Sequence, residues 1–304
     1  KTLRRSCCRD PKTKSNGERA TINIMKYSHI QWTTHTWNPW EGCTNISEGC
    51  KNCYAENNAD KRFHRVKWGP GGKRRQVVTT WMDPYLWNRE ALQSGQRRRV
   101  FCASMADIFD DHPSIEDAWR EHLWETIRNT PCLDWLLLTK RPHHFSRYLP
   151  GDWGDGYRNV CLMVTAENQE CAERRIPLLL ETPAAFRGLS VEPLLGPVDL
   201  SSWIDRLDWV ITGGESGHGA RPMNPNWVRE IRDLCGVHPK VSFFFKQWGC
   251  WTPEVFDTAK VSHRFPDGEE VWFRSAHTLN GNHLDGLQHL AIPFRELVTG
   301  PGRE

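Results

Sequence analysis

The sequence predicts an α/β fold: a TIM-like parallel barrel, complete or partial, with a cysteine-bearing loop after its first strand and a small C-terminal extension. Three observations carry that expectation. Short apolar runs alternate with amphipathic helical stretches, the pattern of a parallel sheet with helices outside it. Seven such runs occur, enough to close or nearly close a barrel. Six successive runs end in small, hydroxyl or charged residues, and barrel enzymes gather their sites at the C-terminal ends of their strands. At 304 residues the chain suits one large domain with extensions.

Taken in order, His29 to Thr36 reads as the first extended segment and Tyr54 to Val66 as a helix. Gly69-Pro70-Gly71-Gly72 breaks that helix and opens a basic loop running to Val78. Asp83 is placed to cap the next helix, with Pro84 at its first position. Arg99 to Ser104 is a strand. Ser114 to Asn129 has helical spacing, with Ile115, Ala118, Trp119, Leu123, Trp124 and Ile127 on one face. Strands follow at Asp134 to Thr139 and Asn159 to Thr165, the first leading into a short helix and the second into a helix from Gln169 to Leu180. Phe186 to Val191, Asp208 to Thr212 and Val241 to Phe245 complete the strands. Asn224 caps a helix to Cys235, with Pro225 at its start. Beyond Trp248 the pieces shorten around turns at Pro266-Asp267-Gly268, Asn280-Gly281 and Asp285-Gly286. The expected organisation is a disordered or non-native extension at 1–24, a barrel at 25–249 and an extension packed on it at 250–304.

Composition narrows the class. Hydrophobic residues at 38% and charged ones at 25% describe a soluble globular chain. The run of about eighteen apolar residues that a membrane span needs is missing, and no leader pattern opens the chain, so the expected location is cytoplasmic. Eleven cysteines without an export signal read as reduced thiols. Cys102, Cys132, Cys161, Cys171 and Cys235 fit ordinary buried positions, and Cys7 and Cys8 fall in the extension. The sixteen tryptophans read as core packing. Net charge is only +3, yet residues 61–99 hold eleven Lys/Arg against Asp83 and Glu90. That segment either binds a polyanion such as nucleic acid or is plain solvated surface.

Chemistry concentrates at Cys43, Cys50 and Cys53, three thiols within eleven positions on a strand-to-helix loop. Four thiolates would close off a structural zinc or a conventional cluster; three leave one metal position for a non-protein ligand. The alternative is a zinc site using these thiolates with His35 or His64. Tyr54 adjoins the last cysteine, and the strand ends add Ser104, Asp107, Thr165, Glu167, Glu192, Gly213, Gly214, Glu215 and Lys246 as candidate cofactor-binding residues. Gly213-Gly214 lets backbone approach a ligand or simply makes a turn; the dinucleotide fingerprint is absent there. Glu167 and Glu192 can bind ribose hydroxyls or an ammonium, or pair with Lys140 or Lys246 across the barrel mouth. Lys246 can take a carboxylate or phosphate, or only neutralise those glutamates. Asp107, Glu167 and Glu192 together also admit a metal-dependent nucleotide hydrolase. No catalytic residue is assignable.

The cysteine loop resembles that of the radical S-adenosylmethionine (SAM) enzymes, with C-x6-C-x2-C here in place of the usual C-x3-C-x2-C. Asn52 occupies the position where an aromatic often stands. A narrower resemblance spans Tyr27 to Pro293, to a radical-SAM-like, phage-associated family of undefined biochemical function. Its phrases occur in order: Thr36-Trp37-Asn38-Pro39-Trp40, Cys50-Lys51-Asn52-Cys53-Tyr54-Ala55-Glu56, Thr139-Lys140-Arg141-Pro142, Ser190-Val191-Glu192-Pro193-Leu194-Leu195-Gly196, Gly213-Gly214-Glu215-Ser216-Gly217, Ala220-Arg221-Pro222-Met223 and Phe244-Phe245-Lys246-Gln247-Trp248-Gly249. The resemblance implies a [4Fe-4S] cluster on the three cysteines, SAM on its open iron, an external electron donor, and a 5′-deoxyadenosyl radical acting on an unknown substrate. Nucleic acid or a nucleotide is the leading substrate class, and a zinc-stabilised, non-redox nucleic-acid-binding protein is the rival. Relatives are often encoded beside a three-Cys-motif partner protein, so such a partner is implied too.

Overall fold

The computed structural model describes residues 27–293; the expected extension at 1–24, with Cys7 and Cys8, lies outside them. Seven strands form one sheet: β1 (His35–Trp37), β2 (Arg98–Cys102), β3 (Leu133–Thr139), β4 (Val160–Thr165), β5 (Phe186–Val191), β6 (Trp209–Gly213) and β7 (Ser242–Gln247). They pair in chain order and all in parallel. Helices α1 (Tyr54–Glu56), α2 (Asp83–Ser94), α3 (Asp117–Arg128), α4 (Phe145–Tyr148), α5 (Gln169–Glu181) and α6 (Pro225–Gly236) occupy the crossovers. The β5–β6 crossover is the exception, an irregular stretch with a 3-10 turn at Ile204–Arg206.

Both faces of the sheet are buried, which is why its strands read as continuous apolar runs rather than alternating ones. In β4, Val160, Leu162 and Val164 face the helix-side core, while Cys161 and Met163 join Trp32, Phe101, Leu136, Trp209, Ile211 and Phe244 on the other face. That second face fills the inside of the curl. β1 and β7 are the two edges of the sheet, so the fold is a half-barrel, the partial form of the expected architecture. Chain from both ends meets across the open side. Asn282 Nδ2 donates to Gln31 Oε1 at 2.7 Å, and Leu290 pairs antiparallel with Phe244 on the free edge of β7. Eleven of the sixteen tryptophans are buried, as expected of core residues.

Several boundaries differ from the sequence reading, each for a local reason. The first strand covers only His35–Trp37; before it, Thr33 Oγ1 bonds the carbonyls of His35 and Arg99 and holds the chain in a turn. The helix after the cysteines is α1 continued as a π-helix over Asn57–Arg62. It stops where His64 takes a positive φ of 49° and the Asp60 carboxylate accepts the Trp68 N–H at 2.7 Å. Asp83 lies inside the first turn of α2, with Met82 at the cap. On α3, Ala118 is exposed and Arg120 is buried instead. Its guanidinium donates to the Ile108 and Asp110 carbonyls and stacks on Tyr148, which satisfies a charge that spacing alone would put in solvent.

The expected C-terminal turns are present. β8 (Trp251–Thr252), β9 (Ser262–Arg264) and β10 (Glu270–Phe273) form a small antiparallel sheet. Its β9–β10 hairpin closes through Gly268 N–H to the Phe265 carbonyl. Asp285 and Gly286, both at positive φ, join the strands His283–Leu284 and Leu287–Gln288. Among the described residues no helix is long and apolar enough to cross a membrane.

Candidate active site

A cavity of about 240 Å³ opens at the C-terminal ends of the strands. The loop after β1 contributes Cys43, Cys50, Cys53 and Tyr54, and β2 contributes Ser104 and Asp107. Thr139, Lys140 and Arg141 come from β3, Thr165 from β4, Ser190 and Glu192 from β5, Gly214 and Glu215 from β6, and Lys246 and Gln247 from β7. Ile30, Trp32, Phe101 and Leu138 form its apolar floor, the upper surface of the plug inside the curl. The strand-end logic of the sequence therefore brings most of the candidate residues to one place. Two are elsewhere: Glu167 is fully buried outside the lining, and Gly213 lies within β6.

The cysteine loop is tied down by side chains from other strand ends. Asn38 Oδ1 accepts the Met105 N–H at 2.8 Å, and Gly42 N–H reaches the Met105 carbonyl at 3.0 Å. Arg141 donates to Cys43 Sγ at 3.4 Å and to the Thr44 carbonyl at 2.8 Å. Ser47 Oγ donates to Glu167 at 2.6 Å. Asn52, between Cys50 and Cys53, donates to Glu215 at 2.9 Å, and Arg221 bridges Glu215 to the Glu48 carbonyl. Tyr54 hydroxyl donates to the Ser104 carbonyl at 2.6 Å. Burial pushes the Cys43 thiol up to about 12 although Arg141 pulls it down, and burial raises Cys53 as well. A metal centre would take these groups as thiolates, with release of their protons.

The carboxylates divide into lining and buried groups. Glu167 accepts from Lys140, from Arg175 at 2.7 Å and from Ser47. Burial opposes its charge, but Lys140 and Arg175 outweigh it and bring Glu167 down to about 2. Glu192 pairs with Lys246, and both line the cavity. Burial likewise opposes charge on Glu215, yet Arg221 and Asn52 hold its carboxyl below the usual range. Asp107 accepts from Thr139, the Lys140 N–H and Arg141. The glycine after β6 answers to packing: a Cβ on Gly214 would stand 2.0 Å from the Trp248 carbonyl oxygen.

The structure bears on three alternatives left open by the sequence. His35 is fully buried and stacked on Trp87 at 4.1 Å, and His64 is exposed outside the lining, so neither completes a zinc site with the cysteines. Asp107, Glu167 and Glu192 do not converge as a hydrolase metal site would need, and each is already paired with a cation: Asp107 with Arg141, Glu167 with Lys140 and Arg175, and Glu192 with Lys246. Among the described residues no three His, Cys, Asp or Glu side chains converge as a single ion requires. The basic segment is no single patch. Arg98 and Arg99 open β2 at the far end of the sheet, and Arg97 just before them pairs with Asp134. Arg74 is buried on Asp110, and Arg65 and Arg75 share Glu41.

Sequence reasoning missed Arg141, Arg175, Arg221, Ser47 and Asn52, which position the loop. The signal for three of them was already present, since Asn52, Arg141 and Arg221 sit in the recurring phrases quoted above.

A family model described as "Protein of unknown function (DUF5131)" matches residues 27–293. The chain belongs to this family. No curated protein matches it. Among solved structures, a cysteine-to-serine variant of spore photoproduct lyase is similar, 13% identical with a TM-score of 0.41, over 79% of this chain and 68% of that one. A double variant of the same lyase, with bound AdoMet and dinucleoside spore photoproduct, is 11% identical with a TM-score of 0.42, over 84% and 73% of the respective chains.

Proposed function

We propose that this protein is a radical SAM enzyme that holds a [4Fe-4S] cluster on Cys43, Cys50 and Cys53 and binds SAM in the adjoining cavity. One observation carries the reading. Three thiols of a single loop line one cavity, and the remaining lining residues include no histidine and no fourth cysteine. A cubane cluster takes one thiolate per iron, so its ligands stand on different irons and need not crowd a single point, which fits this donor set. A cluster held there supplies the electron for reductive cleavage of SAM. The chain's own part is binding and shielding. Glu192 and Glu215 offer carboxylates to an ammonium, Lys246 a cation to a carboxylate, and Ser104 and Thr165 hydroxyls to polar ligand atoms. Trp32, Phe101 and Leu138 keep water out from below.

The test is the iron, sulfide and zinc content of protein purified without oxygen, beside a Cys43/Cys50/Cys53→Ala variant. About four irons and four sulfides per chain, absent from the variant, support the reading. They are to be joined by 5′-deoxyadenosine formed from SAM under reduction. One zinc without sulfide sinks it.

For the substrate, a nucleotide or nucleic acid is favoured by the surface beside the cysteine loop. Phe63 is 52% exposed, with the Arg62 and Arg65 guanidiniums 4.9 and 5.2 Å from its ring centre. Exposed Lys67 and Lys73 continue the positive character. A three-Cys-motif protein partner rests on the family resemblance alone.

A further inference from the structure

We propose that Arg141 sets the reduction potential of the metal centre through Cys43, with Asp107 as the opposing charge. The inference rests on the cluster reading above. It begins from a difference between two of the thiols, Cys43 and Cys50. Cys43 has a guanidinium nitrogen 3.4 Å from its sulfur, whereas the side-chain contact of Cys50 is the Ser47 hydroxyl at 3.7 Å, itself committed to Glu167.

Arg141 is fixed from every side. Nη1 is shared between Cys43 Sγ and Asp107 Oδ2 at 3.1 Å, Nη2 donates to the Thr44 carbonyl, and Nε lies 3.6 Å from Asp110. Asp107 cannot swing away, because Thr139 Oγ1, the Lys140 N–H and the Phe109 N–H all bond its carboxylate. Asp110 is bound by Arg74 at 2.6 Å, which leaves Asp107 as the main counter-charge of Arg141. The side chains of Arg141, Asp107 and Asp110 are only 5%, 7% and 3% exposed. In so dry a wall, charges are weakly screened.

The sign follows from electrostatics. Reduction adds negative charge to a thiolate-bound cluster. A cation and N–H donor at a ligand sulfur stabilise the reduced form more than the oxidised form and raise the potential; a neighbouring carboxylate does the reverse. Arg141 and Asp107 thus act as a pair of opposite sign on one ligand. A merely structural role, holding Thr44 and the loop in place, would change how much cluster is retained and leave the potential of the retained cluster alone.

The experiment is spectroelectrochemistry, read by electron paramagnetic resonance, on anaerobically prepared protein with its iron–sulfur content measured in parallel. Arg141→Met is expected to lower the midpoint potential relative to wild type. Asp107→Asn, nearly isosteric, is expected to raise it. Arg141→Lys keeps the charge without the planar fork and is expected to fall between wild type and Arg141→Met. Equal potentials across the set, or shifts of one sign for both Arg141→Met and Asp107→Asn, overturn the proposal. If Arg141→Met retains no cluster, Asp107→Asn and Arg141→Lys decide by the same signs. Wild-type protein without iron and sulfide would instead defeat the cluster reading itself, a failure separate from unchanged potentials in loaded protein.

Discussion

Glu167 is the residue where environment most altered meaning. A carboxylate beyond the end of β4 is a natural ligand for a bound cofactor, yet its side chain turns away from the cavity into Lys140, Arg175 and Ser47, fully out of water. A buried carboxylate is tolerable only when paired and hydrogen-bonded. Here the pairing wins, and the difference between about 2 and the ordinary 4.5 corresponds to roughly 3 kcal/mol of folding free energy. Because the folded value is depressed, that contribution is complete above pH 4.5 and is lost as pH falls toward 2. Glu167→Gln is therefore expected to cost on the order of 3 kcal/mol in urea unfolding at pH 7. Its deficit relative to wild type should shrink steadily as unfolding is repeated between pH 4.5 and 3. A deficit constant over that range would mean that Glu167 acts by shape rather than charge.

At the scale of elements, the cysteine loop is a short irregular segment made rigid by what the strand ends send to it. Arg141 comes from β3, Glu167 from β4 and Glu215 from β6, and each reaches the loop between or beside the cysteines. Close approach demands a glycine at one point: a Cβ on Gly49 would lie 2.3 Å from Glu167 Cγ. Gly49→Ala must push the loop off the buried ion pair, an overpacking cost of about 1–3 kcal/mol. It is expected to reduce iron content as well as thermal stability. Gly151→Ala, where an added methyl meets nothing within 4 Å, is the control and should leave both near wild type. Equal behaviour of the two variants would show that the loop is not held by this contact.

For the whole molecule, the plug inside the curl decides from which side the cavity can be reached. Trp32, Phe101, Trp209 and Phe244 fill the interior, so approach is from the rim, where Tyr54 and the surface around Phe63 are exposed. If that surface guides a nucleic acid, affinity for a fluorescent single-stranded oligonucleotide should fall steeply as salt rises, because bound phosphates release counterions. Phe63→Ala should then weaken binding by about 1–3 kcal/mol, the usual range for loss of one stacking platform. Affinity indifferent to salt, or untouched by Phe63→Ala, would remove the support for a nucleic-acid substrate.

The parallel strands, their order of appearance and the cysteine loop were legible in the chain because each is written in nearby residues. Period and apolar runs place β3 to β7 within a few positions, and Cys43, Cys50 and Cys53 need only a short loop to share a cavity. The half-open form of the barrel was not legible, since it depends on Trp32 and the segment around Leu290 packing into and along a curl that exists only once the strands have met. Charges were the least legible of all. The run of eleven cations became one buried pair at Arg74, a far-end cluster and an exposed group, and His35 became a stacking partner of Trp87. Ser47 finds Glu167 across 120 residues, and Asn52 finds Glu215 across 163. Apolar periodicity reports a residue's own burial, whereas the meaning of a charge depends on which distant partner folding brings beside it.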